Sequence, residues 1–335
     1  MRTHASLLCA VLAIGGCGGE VKEGETSGSS SDGIAPPTTS ITDTDTGTTD
    51  DSAGTTTPTT DATGLKFDLD GEPPGTTGTT GGEPPLEEGC KRVDVLIAID
   101  NSGSMQEEIE ALAGPVFDSF PEALLDVGYG LDDFQLGVID ACNNPPFLHD
   151  TGTGGACNYS TGANYMSSAS PTLLDEYRCA TELTQSGYKG MDDECSGDND
   201  DEQPANTAAG AVSLPAISSE NAGFMRDDAV LFVVAITDED EQPVPEQSAQ
   251  EIHDRLVAAK GSIDNVVFLG IGGGSECEGA YGSADDAQLL REVSELFAAQ
   301  QRGLFWDLCQ GDLQQAFAAG LEVVDSACIA FEPPG

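Results

Sequence analysis

The sequence predicts an α/β fold, a doubly wound and mainly parallel sheet that follows a disordered N-terminal stalk. Nearly continuous apolar runs occur at Val93–Ile99, Ala229–Ile236 and Asn265–Ile271. Runs of this kind are typical of strands buried on both faces of a parallel sheet. Helical patterns lie between the runs, and that alternation favours a doubly wound arrangement. The stalk, residues 18–89, is dominated by Thr, Gly, Ser, Asp and Pro, and such a composition cannot bury enough apolar surface to fold.

The first 17 residues read as a targeting segment. Arg2 supplies a positive charge, and the apolar stretch Leu7–Ile14 is too short to span a bilayer. The run Ile14-Gly15-Gly16-Cys17 resembles a bacterial lipobox, which implies that Cys17 is lipidated and holds the chain at the cell envelope, on the outer membrane or the cell surface. The alternative is an ordinary secretory signal.

Charge narrows the range of partners. The formal net charge is −47, which disfavours nucleic acids and anionic lipid surfaces as partners. Contact with a membrane is therefore expected through the lipid anchor alone. A cation-binding surface is compatible with this charge, although a highly solvated exported protein explains most of it.

The cysteines predict disulfides. Of the ten cysteines, Cys9 would leave with the signal and Cys17 would carry lipid. An even number remains, which in an exported chain indicates four bridges. Domain termini often lie close together, so we expect Cys90 to pair with Cys328, and we expect Cys277 to pair with Cys309 beside the last strands. The pairing of the others is open: Cys142, Cys157, Cys179 and Cys195.

The folded domain is expected to cover residues 90–330. Two further strands are predicted, at Phe134–Ala141 and Gly303–Leu308. The helices are predicted at Met105–Asp126, with breaks at Gly114-Pro115 and Pro121, and at Asn206–Ile217, Ser248–Lys260, Asp285–Gln300 and Asp312–Asp325, the last capped by Asp312.

A cysteine-rich insertion is expected at residues 142–203, and no third edge strand is discernible. Within it, residues 192–202 are strongly acidic. They read either as a second calcium site, from Asp198, Asp200, Asp201 and Glu202, or as a solvated acidic loop. The spacing lacks the pattern of an EF-hand, which favours the loop.

The residues that follow two of the strands carry the chemistry. Asp100, Ser102 and Ser104 come directly after Val93–Ile99, and Asp238 comes after Ala229–Ile236. Ligands of open parallel sheets bind outside the carboxyl ends of strands, so these side chains converge if the two strands are neighbours. Carboxylates and hydroxyls are hard oxygen ligands of the kind that Mg²⁺ and Ca²⁺ prefer. Helix capping and turn formation are the alternative roles for these residues.

The DxSxS pattern of Asp100, Ser102 and Ser104 resembles the metal-ion-dependent adhesion site of von Willebrand factor type A domains. Thr237-Asp238 matches the family's second motif, ITDxx, which holds the distal metal aspartate. The resemblance implies a doubly wound sheet and a bound Mg²⁺ (or Ca²⁺ or Mn²⁺). It also implies a protein or glycan ligand whose acidic group completes the coordination of the ion. Three possibilities remain for the family's usual threonine ligand. It is Thr207, or it is replaced by Glu202, which would make the site more selective for Ca²⁺, or it is absent.

These patterns predict a cell-envelope lipoprotein that binds its ligand through a divalent cation. One alternative is a disulfide-stabilised envelope scaffold protein with a vestigial metal site. The other is a hydrolase that uses Ser102. We expect no enzymatic activity, because neither His149 nor His253 stands in a recognisable triad context and the sequence has no phosphate-binding loop.

Overall fold

The computed structural model describes residues 90–112, 114, 120–125, 133–142, 145–152, 155–183, 202–242, 247–279 and 281–331. The targeting segment, the stalk and several residues of interest from the sequence lie outside the described residues: Cys17, Cys195, Asp198, Asp200 and Asp201.

A six-stranded sheet forms the centre of the domain, in the order β10-β7-β6-β1-β2-β5. Its strands are β1 (Arg92–Ile99), β2 (Asp133–Asp140), β5 (Met166–Ser167), β6 (Val230–Ile236), β7 (Val266–Gly272) and β10 (Gly303–Asp307). All neighbours are parallel except β5, which pairs antiparallel with β2 at the edge. The expected mainly parallel sheet is therefore confirmed.

Helices cover both faces of this sheet. They are α1 (Gln106–Leu112), α2 (Phe120–Leu125), α3 (Leu173–Thr181), α4 (Pro204–Ala211), α5 (Ala249–Lys260), α6 (Gln288–Ala298) and α7 (Leu313–Ile329). Val95 and Ile97 of β1 belong to the core that includes residues of α1, α2 and α7, whereas Leu96 and Ala98 belong to the core that includes α4, α5 and α6. Because successive side chains of a strand point to opposite faces, this division shows why β1 is apolar from Val93 to Ile99 except at Asp94, which pairs with Arg226.

Several element boundaries differ from the sequence prediction. The single helix predicted at 105–126 is two helices, α1 and α2, and Pro121 lies in the first turn of α2, where proline is tolerated. The helix predicted at 206–217 begins two residues earlier, at Pro204, and ends at Ala211. The helix predicted to end at Asp325 continues to Ile329, and Asp312 caps it by accepting a hydrogen bond from the Gln315 amide.

The insertion holds structure that the sequence did not reveal. It contains the edge strand β5, helix α3, and the two-stranded hairpin of β3 (Thr151–Gly152) and β4 (Gly155–Ala156). A second hairpin, β8 (Cys277–Gly279) and β9 (Gly282–Ala284), follows β7. Strands of two or three residues give too short a pattern for alternation to be read from sequence.

Disulfides close the domain. Cys90 pairs with Cys328, and the Cys90 amide also donates to the Cys328 carbonyl at 2.9 Å. Cys277 pairs with Cys309, so both expected bridges are present. Within the insertion Cys157 pairs with Cys179, and Cys142 is also disulfide-bonded. The described part of the chain contains no helix that is both long and apolar enough to cross a membrane.

Candidate metal centre

The neighbouring strands β1 and β6 place the candidate site. Ile99 and Ile236, their last residues, are register partners, and the Asp100 amide donates to the Ile236 carbonyl at 2.9 Å. From β1 the chain first adds β2 on one side and later β6 on the other, so the strand order reverses at β1. Such a switch point opens a crevice at the carboxyl ends of the strands. Asp100 and Asp238 both lie at this crevice.

Hydrogen bonds join four of the five predicted ligands, all except Thr207, into one cluster. Asp100 Oδ1 accepts from the Ser102 amide at 2.8 Å, and the hydroxyls of Ser102 and Ser104 are 2.9 Å apart. Ser104 Oγ donates to Asp238 Oδ1 at 3.2 Å. We call these four residues, Asp100, Ser102, Ser104 and Asp238, the aspartate–serine cluster. Ser104 is exposed while the other three are buried, so the cluster opens to solvent on its serine side.

Thr237 holds Asp100 in position through a buried hydrogen bond. Its side chain is fully buried, and its hydroxyl donates to Asp100 Oδ2 at 2.7 Å. With the Ser102 amide on the other oxygen, both oxygens of Asp100 have a hydrogen-bond donor. Hydrogen bonds of this kind hold a carboxylate in one orientation, which a metal ligand requires.

Burial makes the two aspartates costly to ionise without a cation. Burial raises the pKa of Asp100 to about 7, against the lowering effect of its bonds from Ser102 and Thr237. Burial likewise raises the pKa of Asp238 to about 6, and the neighbouring charges of Glu239 and Asp285 add to the rise. A bound divalent cation would remove this penalty, because it supplies the missing positive charge.

Two buried glutamates interact electrostatically with the aspartates of the cluster. Burial raises the pKa of Glu108, in α1, to about 7, and the charges of Asp238 and Asp100 add to the rise. Burial raises the pKa of Glu241, in the loop after β6, to about 8. Each has one buried carboxylate oxygen, Oε2, without a hydrogen-bond partner in the described part of the protein. Neither glutamate was predicted as part of the site from the sequence; the available signal was the presence of acidic residues just beyond the two motifs.

The two candidates for the threonine position lie beside α4. Thr207 is fully buried within α4, and its hydroxyl donates to the Ala141 carbonyl at 2.8 Å. Glu202 precedes the helix, and its backbone pairs with Gln242 in both directions, at 2.6 and 3.3 Å. These bonds attach both residues to their neighbours; none of them is made to the aspartate–serine cluster.

Another group of ligand-type side chains lies beside β10. The ligand atoms of Cys277, Asp307 and Cys309 are within 4.8 Å of one another. The two cysteines form a disulfide, so neither offers the thiolate that binds a metal. This group therefore does not compete with the aspartate–serine cluster as a cation site.

The structure also shows where a serine nucleophile would stand. The Ser102 hydroxyl has the Ser104 hydroxyl as its neighbour at 2.9 Å. His149 Nε2 instead lies 2.9 Å from Asp140 Oδ2, and both side chains are buried. His253 lies on α5 beside Asp254, also at 2.9 Å. In the described structure each of these imidazoles is thus paired with its own aspartate.

The donor set fits a hard cation. Two carboxylates and two hydroxyls converge, and their oxygens match the preference of Mg²⁺, Mn²⁺ and Ca²⁺. Close in sequence to the cluster, Glu108 and Glu241 each keep a buried carboxylate oxygen without a hydrogen-bond partner in the described structure. Four protein oxygens do not saturate a six-coordinate ion, so the arrangement leaves positions for water or for an external ligand.

Comparisons with known proteins give distant structural neighbours only. No protein-family model and no curated protein matches the chain. Among solved structures, proximal thread matrix protein 1 from the mussel byssus is 13% identical over 71% of this chain and 46% of that one, with a TM-score of 0.39. The chain thus spans less than half the length of that structure.

Two other solved structures have similarly low scores. Manganese-loaded TRAP protein of Plasmodium vivax is 15% identical over 67% of this chain and 72% of that one, with a TM-score of 0.32. The pilus adhesin SpaC of Lactobacillus rhamnosus GG is 12% identical over 71% of this chain and 31% of that one, with a TM-score of 0.34. Likeness at this distance says nothing about what the present chain binds.

Proposed function

We propose that the domain is an adhesion module that binds a divalent cation, Mg²⁺ or else Ca²⁺ or Mn²⁺, through Asp100, Ser102, Ser104 and Asp238. The observation that supports this most is the unbroken hydrogen-bonded path from Asp100 through both serines to Asp238. The partner would be a protein or glycan that presents an acidic group. When bound, the ion would supply an electrophilic coordination position for that group.

The protein residues have distinct parts in this proposal. Asp100 and Asp238 would be the charged ligands of the ion, whereas Ser102 and Ser104 would contribute oxygen without charge. Because only two of the four ligands are charged, a divalent ion keeps attraction for an external carboxylate. Thr237 would orient Asp100 through its 2.7 Å bond. The exposed position of Ser104 gives the ligand its path of approach.

Isothermal titration calorimetry with Mg²⁺, Mn²⁺ and Ca²⁺ tests the cation site. We expect the wild type to bind with a Kd on the order of 10⁻⁴–10⁻³ M, as extracellular calcium modules do. Asp100→Asn should abolish the binding while circular dichroism stays unchanged. The matched control is Asp264→Asn. It also removes one carboxylate, but from a position just before β7, at the end of the strands opposite to the cluster. Absence of binding heat from the wild type at millimolar ion would instead favour the envelope scaffold with a vestigial site.

Manganese relaxivity tests the ligand chemistry. A peptide with a single glutamate should displace a water from protein-bound Mn²⁺ and lower the water-proton relaxation rate. The same peptide with glutamine in its place should leave the rate unchanged. If both peptides change the relaxation rate equally, an acidic group is not what the bound ion recognises, and that part of the proposal is wrong. Turnover of an ester or peptide substrate that is lost in Ser102→Ala would support the hydrolase alternative.

We further propose that Cys17 is lipidated and that residues 18–89 link this domain to the bacterial cell envelope. The support is the lipobox-like run that ends at Cys17 and the polar composition of the residues that follow. Mass spectrometry of the mature N-terminus tests it. A diacylglyceryl cysteine at position 17 is the expected result, and an unmodified N-terminus at another residue would contradict the anchor.

A further inference from the structure

Strand β10 is an open edge of the central sheet. In the described part of the chain it pairs with β7 on one side and with no strand on the other. The Phe268 amide donates to the Arg302 carbonyl at 2.9 Å, and in a parallel ladder only alternate residues of a strand bond to the same neighbour. Counted from this bond, the peptide groups of Gly303 and Phe305 face away from β7. Among the described residues these two have no backbone partner on that side.

β10 lacks the features that protect most sheet edges. The opposite edge, β5, is only two residues long, whereas β10 has five, Gly303–Asp307. Its sequence, GLFWD, contains no lysine or proline and carries a charge only at its last residue. Natural proteins protect their edges with short strands, charges, prolines or a covering segment, because an open edge otherwise pairs with another chain. A covering segment is therefore expected beside β10.

The side chains of β10 also leave apolar surface uncovered. Leu304 and Trp306 pack against the core on the α7 side of the sheet, and Phe305 packs against the core on the α6 side. All three are only partly buried, in contrast to the buried residues of β6 and β7. A strand beside β10 would cover the remaining surface on both faces.

One stretch of the N-terminal segment matches this edge. Lys66–Asp70 reads KFDLD, in which Phe67 and Leu69 alternate with charged residues. Apolar residues with a period of two are typical of a half-buried strand. Phe67 is the only aromatic residue of 18–89, a region otherwise rich in Thr, Gly and Pro. The segment has no core of its own, so it requires a partner to become ordered.

We infer that Lys66–Asp70 adds to β10 as a further strand of the central sheet. Its peptide groups bond to the outward-facing groups of Gly303 and Phe305. Main-chain hydrogen bonds of this kind supply the affinity when an extended segment joins a sheet edge. The inference depends neither on a bound cation nor on the lipid anchor.

The side chains of the two strands are compatible. Phe67 and Leu69 are two residues apart, as are Leu304 and Trp306, so both pairs fit side by side on the α7 face of the sheet. Cross-strand pairs of aromatic and aliphatic side chains stabilise a sheet. The charged residues of the segment then lie on the other face, at the margin of the domain, where they reach water.

The length of the connecting chain suits this contact. About 20 residues join Asp70 to Cys90, which precedes β1, and a flexible chain of this length spans about 25 Å on average. β10 is three strands from β1, so an added strand stands four strand spacings away, about 19 Å. A linker whose length matches the span gives the highest effective concentration, in the millimolar range.

Charge favours this segment over a second copy of the chain as the occupant. Pairing of β10 with the same strand of another copy would bring together two chains that each have a formal net charge of −47, and such chains repel. Lys66–Asp70 contains one lysine and two aspartates, so its net charge is only −1.

The test compares the full-length wild type with two double variants. Phe67→Ser/Leu69→Ser removes the apolar side chains of the segment. The matched control, Ile34→Ser/Ile41→Ser, removes two apolar side chains elsewhere in 18–89. All four substitutions lie outside the described domain, and circular dichroism checks that its fold is unchanged.

Two measurements report on the edge. Trp306 is the only tryptophan of the chain, so quenching of its fluorescence by acrylamide measures its exposure directly. Hydrogen exchange of the Phe305 amide measures the new main-chain bonds. We expect Phe67→Ser/Leu69→Ser to increase the quenching and to accelerate the exchange about tenfold, with the control at wild-type values.

Three outcomes would overturn the inference. The first is equal quenching and exchange in the wild type and Phe67→Ser/Leu69→Ser. The second is an effect of the same size in Ile34→Ser/Ile41→Ser, because the contact would then not be specific to the segment. The third is protection of Phe305 that rises with protein concentration together with a dimer in analytical ultracentrifugation, which would place a second copy at the edge. None of these outcomes depends on cation binding, so the proposed function stands or falls separately.

Discussion

The Thr237 hydroxyl donates a hydrogen bond to Asp100 Oδ2 at 2.7 Å and so joins the ends of two neighbouring strands. Thr237 immediately follows β6, and Asp100 immediately follows β1. This single bond couples the position of the first aspartate to the loop that carries the second, Asp238. The two carboxylates therefore keep a fixed relation to each other before any ion arrives, which lowers the cost of binding.

Replacement of Thr237 by valine tests this coupling. Valine has nearly the same shape but leaves the buried Asp100 Oδ2 without its donor, so we expect the free energy of unfolding to fall by about 1–3 kcal/mol. Cation affinity should also fall, because the pKa of Asp100 rises further when a donor is removed. Denaturant titration in EDTA and calorimetry measure the two effects. Thr237→Ser keeps the hydroxyl and serves as the control; equal behaviour of both variants would contradict the coupling.

Glu108 should make the metal-free protein sensitive to pH. Burial raises the pKa of this carboxyl from 4.5 to about 7, so the folded state binds a proton that the unfolded state has released between these values. Its contribution to stability is therefore complete below about pH 4.5 and is lost as the pH rises through about 7. Denaturant titrations in EDTA from pH 4 to 8 (roughly the span of these pKa values) measure the slope.

In Glu108→Gln this part of the slope, about one proton, should disappear. Glutamine keeps the size of the side chain, and the exposed neighbour Glu107 provides the matched control Glu107→Gln. An identical pH profile for the wild type and Glu108→Gln would show that Glu108 titrates at the same pH in the folded and unfolded states.

The ion pair between Asp94 and Arg226 should contribute strongly to stability. It lies near the start of β1, at the opposite end of the strand from Asp100. Asp94 is fully buried, and it accepts from Arg226 Nε at 2.7 Å and from the Arg226 amide at 2.6 Å. Arg226→Met leaves this buried carboxylate without its cation, so we expect a loss of about 3–5 kcal/mol. Adding Asp94→Asn to Arg226→Met should restore part of the loss. Denaturant titration measures the stability of the single and the double variant. A loss below ~1 kcal/mol in Arg226→Met would show that the pair contributes no more than an ordinary surface salt bridge.

Two of the three fully described disulfides differ widely in span and should differ in their effect on stability. Cys90 and Cys328 are 238 residues apart, whereas Cys157 and Cys179 are 22 apart. A cross-link restricts the unfolded chain more when it closes a longer loop, so loss of the first bridge should cost about 5.5 kcal/mol and loss of the second about 3.4 kcal/mol. Paired serine substitutions and denaturant titration compare them. A larger cost for the shorter bridge would contradict the entropic explanation.

The long buried strands were predictable from the sequence because burial on both faces favours apolar side chains at nearly every position, the ion-paired Asp94 of β1 being an exception. Val93–Ile99 and Ala229–Ile236 match β1 and β6 within one residue at each end. The edge strand β5 was not, since two residues carry no period. The start of α4 differs from the prediction. The helix begins at Pro204, a residue type that is common at the first helical position, and not at Asn206.

The site was predictable where it depends on strand ends and not where it depends on loops. Asp100 and Asp238 follow adjacent strands, so their proximity is a consequence of topology. The surroundings of Glu241 depend on how a loop folds over α4, and its neighbours Glu239 and Asp240 are equally acidic in sequence. Only coordinates distinguish the buried carboxylate from those more exposed ones.

The Cys90–Cys328 bridge lies where the chain enters the sheet, and the aspartate–serine cluster lies at the far end of the same strand, β1. If the domain captures a ligand as proposed, a pull between that ligand and the preceding segment would run along β1. The bridge would divide that load between β1 and α7, so the strand that precedes Asp100 would not bear it alone. Under reducing conditions the same pull would act on β1 first and draw Asp100 away from Asp238.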